Sequence, residues 1–218
     1  MQVKKFTFNP FQENTYVLYD DSKECIIIDP GCFFQHEMDE LTDFINSRGL
    51  TPVRLINTHC HIDHILGVKF VQSKWKLKFE ASMLDDYNLD WSVERSITFN
   101  LPIERPFIDK DIVDGQEIHF GNTSLQTLYT PGHSHGSMSF YNQKTSELIS
   151  GDVLFRMSVG RYDLPKGDYE TLMQSIISKL YILPKDTKVY SGHGEETTIG
   201  YEMKNNPFVN EYLMDNRR

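Results

Sequence analysis

Apolar and polar positions along this chain alternate between two periods, and the changes mark its elements. Residues 2–8 and Asn14-Thr15-Tyr16-Val17-Leu18-Tyr19 read as strands, and Glu24-Cys25-Ile26-Ile27-Ile28 is an apolar run with the length of a buried strand. Asp29-Pro30-Gly31 ends that run with turn chemistry. From His36 to Arg48, the positions of Met38, Leu41, Phe44 and Ile45 follow helical spacing, and Gly49 supplies the stop. Val53–Asn57 predicts a further strand, and residues 63–74 a second helix with Leu66, Phe70 and Val71 inward. Strands follow at Ile118–Phe120 and Leu125–Tyr129, then a hairpin of Met138–Tyr141 and Glu147–Ser150 around Asn142-Gln143-Lys144. Asp168 predicts the N-cap of a helix that places Leu172, Ile176 and Leu180 on one face. Lys188-Val189-Tyr190 is the last strand expected, and Tyr201–Asn205 a short closing helix. The acidic, aromatic segment Leu84–Phe99, with Tyr87, Trp91 and Val93, is open to three readings, helix, substrate flap or plain core, of which core or helix packing is preferred. Strands with helices between them, and no repeats, predict an α+β fold.

Composition narrows the class. The 218 residues predict one domain, spanning 1–218, long enough to bury a sizeable core. A net charge of -9 leaves no basic surplus for nucleic acid, so a small-molecule substrate is expected instead. The N-terminal Met1-Gln2-Val3-Lys4-Lys5-Phe6 lacks a signal peptide's apolar stretch and no run reaches transmembrane length, which predicts neither export nor a membrane partner. Cys25, Cys32 and Cys60 are odd in number and contain no C-x-x-C pair, so a reducing, cytoplasmic location is expected. The oligomeric state is not legible.

The chemistry concentrates in Thr58-His59-Cys60-His61-Ile62-Asp63-His64, directly after the run Val53-Arg54-Leu55-Ile56. If the strand continues to His61, alternation turns His59 and His61 to one side and Cys60 to the other, where it packs. Asp63 and His64 then fall in the next turn. Imidazole nitrogen and carboxylate oxygen suit borderline divalent metals, so this stretch reads as a metal site.

The motif resembles the metallo-β-lactamase fold superfamily. Thr130-Pro131-Gly132-His133-Ser134, Ser150-Gly151-Asp152 and Ser191-Gly192-His193-Gly194 supply that family's remaining motifs, in order. The resemblance implies a four-layer αββα sandwich and two divalent ions, zinc first, with iron or manganese as alternatives. It also implies that His59, His61 and His133 hold one ion, that Asp63, His64 and His193 hold the other, and that Asp152 bridges them. A metal-bridging hydroxide would then attack, with Asp63 orienting it. Asp29 is either a carboxylate behind the ligands or a turn residue, and the resemblance favours the former. Of the other histidines, His135 is a conceivable proton donor, and His36 and His119 read as ordinary residues.

A narrower resemblance, to the small glyoxalase II-like (hydroxyacylglutathione hydrolase-like) proteins, rests on three stretches. They are Asn9-Pro10-Phe11-Gln12-Glu13-Asn14, Gly160-Arg161-Tyr162-Asp163-Leu164 and Gly192-His193-Gly194-Glu195-Glu196-Thr197-Thr198. It implies thioester hydrolysis, with Arg161 as a substrate-binding cation; Arg161 either clamps a substrate carboxylate or pairs with Asp163. Asn57-Thr58-His59-Cys60-His61 with Gly160-Arg161 also resembles the persulfide dioxygenases, which use one iron. A metallo-nuclease is the third alternative, disfavoured by the acidic charge.

Overall fold

The structure, a computed structural model, describes residues 1–215. It divides into two compact units, residues 1–112 with 117–124, and residues 113–116 with 125 onward.

The first unit begins with β1 (Gln2–Phe8), β2 (Glu13–Tyr19) and β3 (Glu24–Ile28), followed by α1 (Gln35–Arg48) and β4 (Thr51–Ile56). Then come α2 (Ile62–Ile65), α3 (Val68–Trp75), β5 (Phe79–Ala81), α4 (Asp86–Thr98), β6 (Lys110–Asp111) and β7 (Glu117–Phe120). Strands β1 to β6 form one sheet in sequence order. β1–β2 and β2–β3 pair antiparallel, whereas β3–β4, β4–β5 and β5–β6 pair parallel. Parallel pairing puts the C-terminal ends of β3, β4 and β5 at one edge. Leu41 and Ile45 of α1, Val68 and Val71 of α3, and Leu89 of α4 share a buried cluster with Ile27, Leu55 and Phe79 of the sheet. Each of those side chains contributes about 1.5–3 kcal/mol by leaving water.

Gly49 ends α1 at φ 62°, the left-handed cap its position predicts. The helix predicted over 63–74 is instead two, α2 and α3, broken at Leu66-Gly67. A side chain at residue 67 would lie 2.5 Å from Cys32 Sγ, and the Gly67 N–H turns to the Pro30 carbonyl at 2.7 Å. The segment Leu84–Phe99 is helical for most of its length, as α4, after a short 3₁₀ turn at Met83–Asp85.

The second unit continues with β8 (Thr123–Tyr129), β9 (Met138–Asn142), β10 (Glu147–Gly151), β11 (Leu154–Phe155), β12 (Ser158–Val159) and α5 (Tyr169–Ser175). It closes with β13 (Lys188–Ser191), β14 (Thr197–Thr198), α6 (Ile199–Asn205) and α7 (Pro207–Asp215). The second sheet has the order β14-β13-β10-β9-β8-β7. β9 is antiparallel to both β8 and β10, and β10 is parallel to β13. Hence β8, β10 and β13 run the same way and end at the same edge. Asp168 caps α5 by accepting from the Thr171 N–H at 2.8 Å, and the helix runs on as a π-helical stretch over Ile176–Leu180. Leu172, Ile176 and Leu180 are fully buried against Leu148 and Val189 of the sheet. Among the described residues, no helix is long and apolar enough to cross a membrane.

Candidate metal centre

In the first unit, β4 ends at Ile56, so strand alternation is not what brings His59 and His61 together. They lie in a loop before α2, with ring centroids 4.7 Å apart and nearly perpendicular. His64, the third residue of α2, brings its ring to 4.1 Å from His59 and its Nε2 to 3.7 Å from Asp63 Oδ2. Side chains from neighbouring turns hold this loop by its carbonyls. Asn57 Nδ2 donates to the carbonyls of His59 (3.2 Å) and His64 (2.8 Å), and Asn9 Nδ2 to those of Asp63 (3.1 Å) and Gly31 (3.0 Å).

Asp29, just past the end of β3, is the hub behind the loop. Its Oδ1 accepts the Thr58 N–H and its Oδ2 the Thr58 hydroxyl, each at 2.6 Å, and Oδ2 also lies 3.0 Å from His64 Nδ1. An ionised carboxylate only accepts, so His64 carries its proton on Nδ1 and offers its Nε2 lone pair. Thr58, whose hydroxyl hydrogen is engaged by Asp29, accepts from His59 Nδ1 at 3.0 Å, which fixes that ring in the same tautomer. One carboxylate thus orients two imidazoles, the supporting arrangement common behind metal-bound histidines. Asp29 sits at φ 50°, a left-handed conformation that aspartate tolerates better than most residues. One atom each of Asp29, His59 and His64 lie within 4.8 Å of one another.

Glu13 is buried beside this hub, its Oε1 3.9 Å from His64 Nδ1 and its Oε2 accepting from the Thr15 hydroxyl at 2.8 Å. Burial pushes its carboxyl well above the ordinary range, with Asp29 and Asp63 adding to the rise and His64 opposing it. Burial likewise raises the Cys60 thiol, with Asp85 adding to it, and Cys60 packs in the core of this unit. All three cysteines are free and buried.

In the second unit, His133, Asp152 and His193 follow β8, β10 and β13, whose shared direction delivers them to one edge. Asp152 Oδ2 lies 3.6 Å from His133 Nε2 and 3.4 Å from His193 Nε2. His133 Nδ1 is 2.7 Å from the Arg161 carbonyl, an obligate acceptor, so this imidazole also presents an Nε2 lone pair. Glycines make the close approaches possible. Gly132 adopts φ 126° with the α5 backbone at Leu172 where a side chain would be, and a side chain at residue 160 would fall 1.8 Å from the Asp152 carbonyl. The Arg161 guanidinium forms a two-pronged ion pair with Asp163, at 2.8 and 2.9 Å, and both are exposed.

The other histidines lie on the surface. His36 stacks on Phe34, His119 is 3.3 Å from Glu117, and the exposed His135 offers its carbonyl to the Tyr129 hydroxyl. The supporting residues Asn9, Asn57 and Glu13 carry no metal signature, although Asn9 and Glu13 fall within the glyoxalase II-like stretch Asn9–Asn14. The donor chemistry fits divalent metal: His59, His64 and His133 each have Nδ1 engaged and Nε2 presented, with carboxylates alongside.

Histidines and aspartates gathered after the strands of each sheet define a candidate divalent-metal centre. The chain belongs to the metallo-beta-lactamase superfamily, whose family model matches residues 8–193. It is 38% identical to "Probable metallo-hydrolase YqgX" of Bacillus subtilis, over 98% of this chain and 100% of that one. It is 33% identical to "Hydroxyacylglutathione hydrolase GloC" of Haemophilus influenzae, over 96% and 99%. Among solved structures, BLEG-1 B3 metallo-beta-lactamase matches with a TM-score of 0.87 and 37% identity, covering 95% of this chain and 99% of that one. TTHA1623 in a di-iron-bound form matches with a TM-score of 0.84 and 35% identity, over 94% and 100%. The metallo-β-lactamase fold and α+β class expected from the sequence are therefore those found.

Proposed function

We propose that the two clusters complete one binuclear centre, and that the protein is a zinc-dependent thioester hydrolase acting on a small hydroxyacyl-thiol. His59, His61 and His133 hold one ion, Asp63, His64 and His193 the other, and Asp152 bridges. The observation that carries the binuclear reading is the placement of Asp152 Oδ2 between His133 Nε2 and His193 Nε2, one histidine from each proposed set. When bound, the metal pair supplies Lewis acidity and a water whose pKa is brought near 7. Asp63 would orient the attacking water by accepting a hydrogen bond from it, while Asp29 and the Arg161 carbonyl keep the imidazoles in register. A thiol leaves as thiolate, with a pKa near 8.5, so no protein acid has to protonate it. The named activity of the Haemophilus relative favours the same bond.

Metal analysis followed by a substrate screen tests this. Close to two zinc ions per chain are expected, with anaerobic cleavage of hydroxyacyl-thioesters, and Asp152→Ala should lose both ions and turnover. One tightly held ion with no second site on titration would refute the binuclear centre. Hydrolysis of β-lactams without thioesters, or oxygen uptake with glutathione persulfide by an iron-loaded form, would replace the thioester reading. Full activity only with a di-iron centre would overturn zinc alone.

A further inference from the structure

Helix α4 and its N-cap residue Asp85 grip the loop between His59 and His61 by its backbone. Asp85, following β5 at the same sheet edge as Asp29 and the loop, accepts the Cys60 N–H on Oδ2 at 2.6 Å and the Asn88 side chain on Oδ1 at 3.0 Å. Ser92, two turns on, donates its hydroxyl to the Cys60 carbonyl at 2.9 Å. Asp85, Asn88 and Ser92 are fully buried. Burying such groups costs roughly 1–3 kcal/mol each unless they are bonded, and packing α4 on the core needs only apolar residues such as Leu89. The polar side chains of this face converge on one residue's backbone. Cys60 joins His59 to His61, so holding both its N–H and its carbonyl fixes the directions in which the two imidazoles leave the chain. Trp91, its ring 5.8 Å from that of His61 and tilted by 59°, bounds the His61 ring from the same helix.

We propose that α4 is a positioning element for the metal centre: Asp85 and Ser92 clamp the Cys60 peptide so that His59 and His61 are set to converge on one ion, and Trp91 restrains the His61 ring. This rests on the metal reading of His59 and His61. Substitutions of such supporting groups weaken metal binding by roughly 10–100-fold.

Ser92→Ala and Asp85→Asn are compared with Ser96→Ala as a control. Ser96 is buried on the same helix but donates to the Val93 carbonyl, away from the loop. In the full chain, Ser92→Ala is expected to keep its circular dichroism and to hold zinc roughly 10–100-fold more weakly in chelator competition. It should also shift the visible spectrum of the cobalt-loaded form and move the His61 ring resonances of the metal-free form, while Ser96→Ala does none of these. Zinc affinity within twofold of the parent in Ser92→Ala, with unmoved cobalt spectrum and His61 resonances, would overturn the clamp, as would an equal loss in Ser96→Ala. If Asp85→Asn fails to fold, Ser92→Ala decides. If the parent protein binds no metal, the functional reading fails, and the His61 resonances of metal-free Ser92→Ala decide the clamp by themselves.

Discussion

Removing the Asp29 carboxylate tests the support of the proposed centre through a single side chain. It receives three hydrogen bonds, from the Thr58 N–H, the Thr58 hydroxyl and His64 Nδ1, and through Thr58 it also sets His59. Loss of one such partner weakens metal binding by roughly 10–100-fold, so two independently oriented imidazoles would give about 100–10,000-fold. Both depend on one carboxylate and share neighbours, so their effects are not additive. The expectation for Asp29→Ala is therefore the low end, about 100-fold, or about 2.7 kcal/mol at 1.36 kcal/mol per decade. Asp29→Asn is the sharper test. Asparagine accepts the left-handed backbone at φ 50° as readily as aspartate, so the variant adds little strain. Its Oδ1 still accepts the Thr58 N–H, but its amide nitrogen faces two donors. Turning the amide over only moves the clash to the Thr58 N–H. His64 can relieve the conflict by carrying its proton on Nε2, the nitrogen assigned to the ion. Asp29→Asn should thus weaken zinc at least as much as Asp29→Ala, although isosteric replacement is ordinarily the milder change. Chelator competition gives the affinity, the thermal midpoint of the metal-free form reports the fold, and ¹⁵N shifts of His64 report its tautomer. Zinc held by Asp29→Asn within threefold of the parent, with His64 still protonated on Nδ1, would refute the hub.

Two further outcomes concern an ion pair and a turn. Asp163 occupies the Arg161 guanidinium, so Asp163→Asn should raise kcat/KM for thioesters of anionic thiols roughly two- to fivefold over those of neutral thiols, the scale of one exposed ion pair; an unchanged ratio would show that Arg161 does not meet the substrate. Burial of Asp20 favours its protonated form, but hydrogen bonds from Ser22, Thr123 and Asn122 outweigh it and lower the pKa to about 2. A depressed carboxyl contributes stability above its unfolded value near 4 that is lost as pH falls toward about 2. With its exposure discounted, Asp20→Asn should cost on the order of 1 kcal/mol at pH 7, with the gap narrowing from pH 4 to pH 3 in urea unfolding. A gap independent of pH would assign the effect to packing.

What the sequence reveals and what it hides differ in range. The candidate ligands are legible because each motif is local: a strand-like run, a turn and a donor side chain within a few residues. Even there, strand alternation is the wrong reason for pairing His59 with His61, since β4 stops at Ile56 and a loop held from Asn57 and Asp29 does the gathering. The break at Gly67 is hidden because the group that forbids a side chain there is Cys32, 35 residues earlier and met only after folding. Asp85 is hidden for the same reason. Nothing near it in sequence says that the Cys60 N–H will lie opposite its carboxylate; that depends on β3, β4 and β5 being parallel neighbours. Parallel order gathers the residues after each strand at one edge, so Asp29, the histidine loop and Asp85 are neighbours in space despite intervals of about thirty residues. The donors of this site are written locally, whereas their supports are written in the strand order. A chain that kept every histidine and aspartate but lost that order would keep the motifs and lose the geometry that makes them a site.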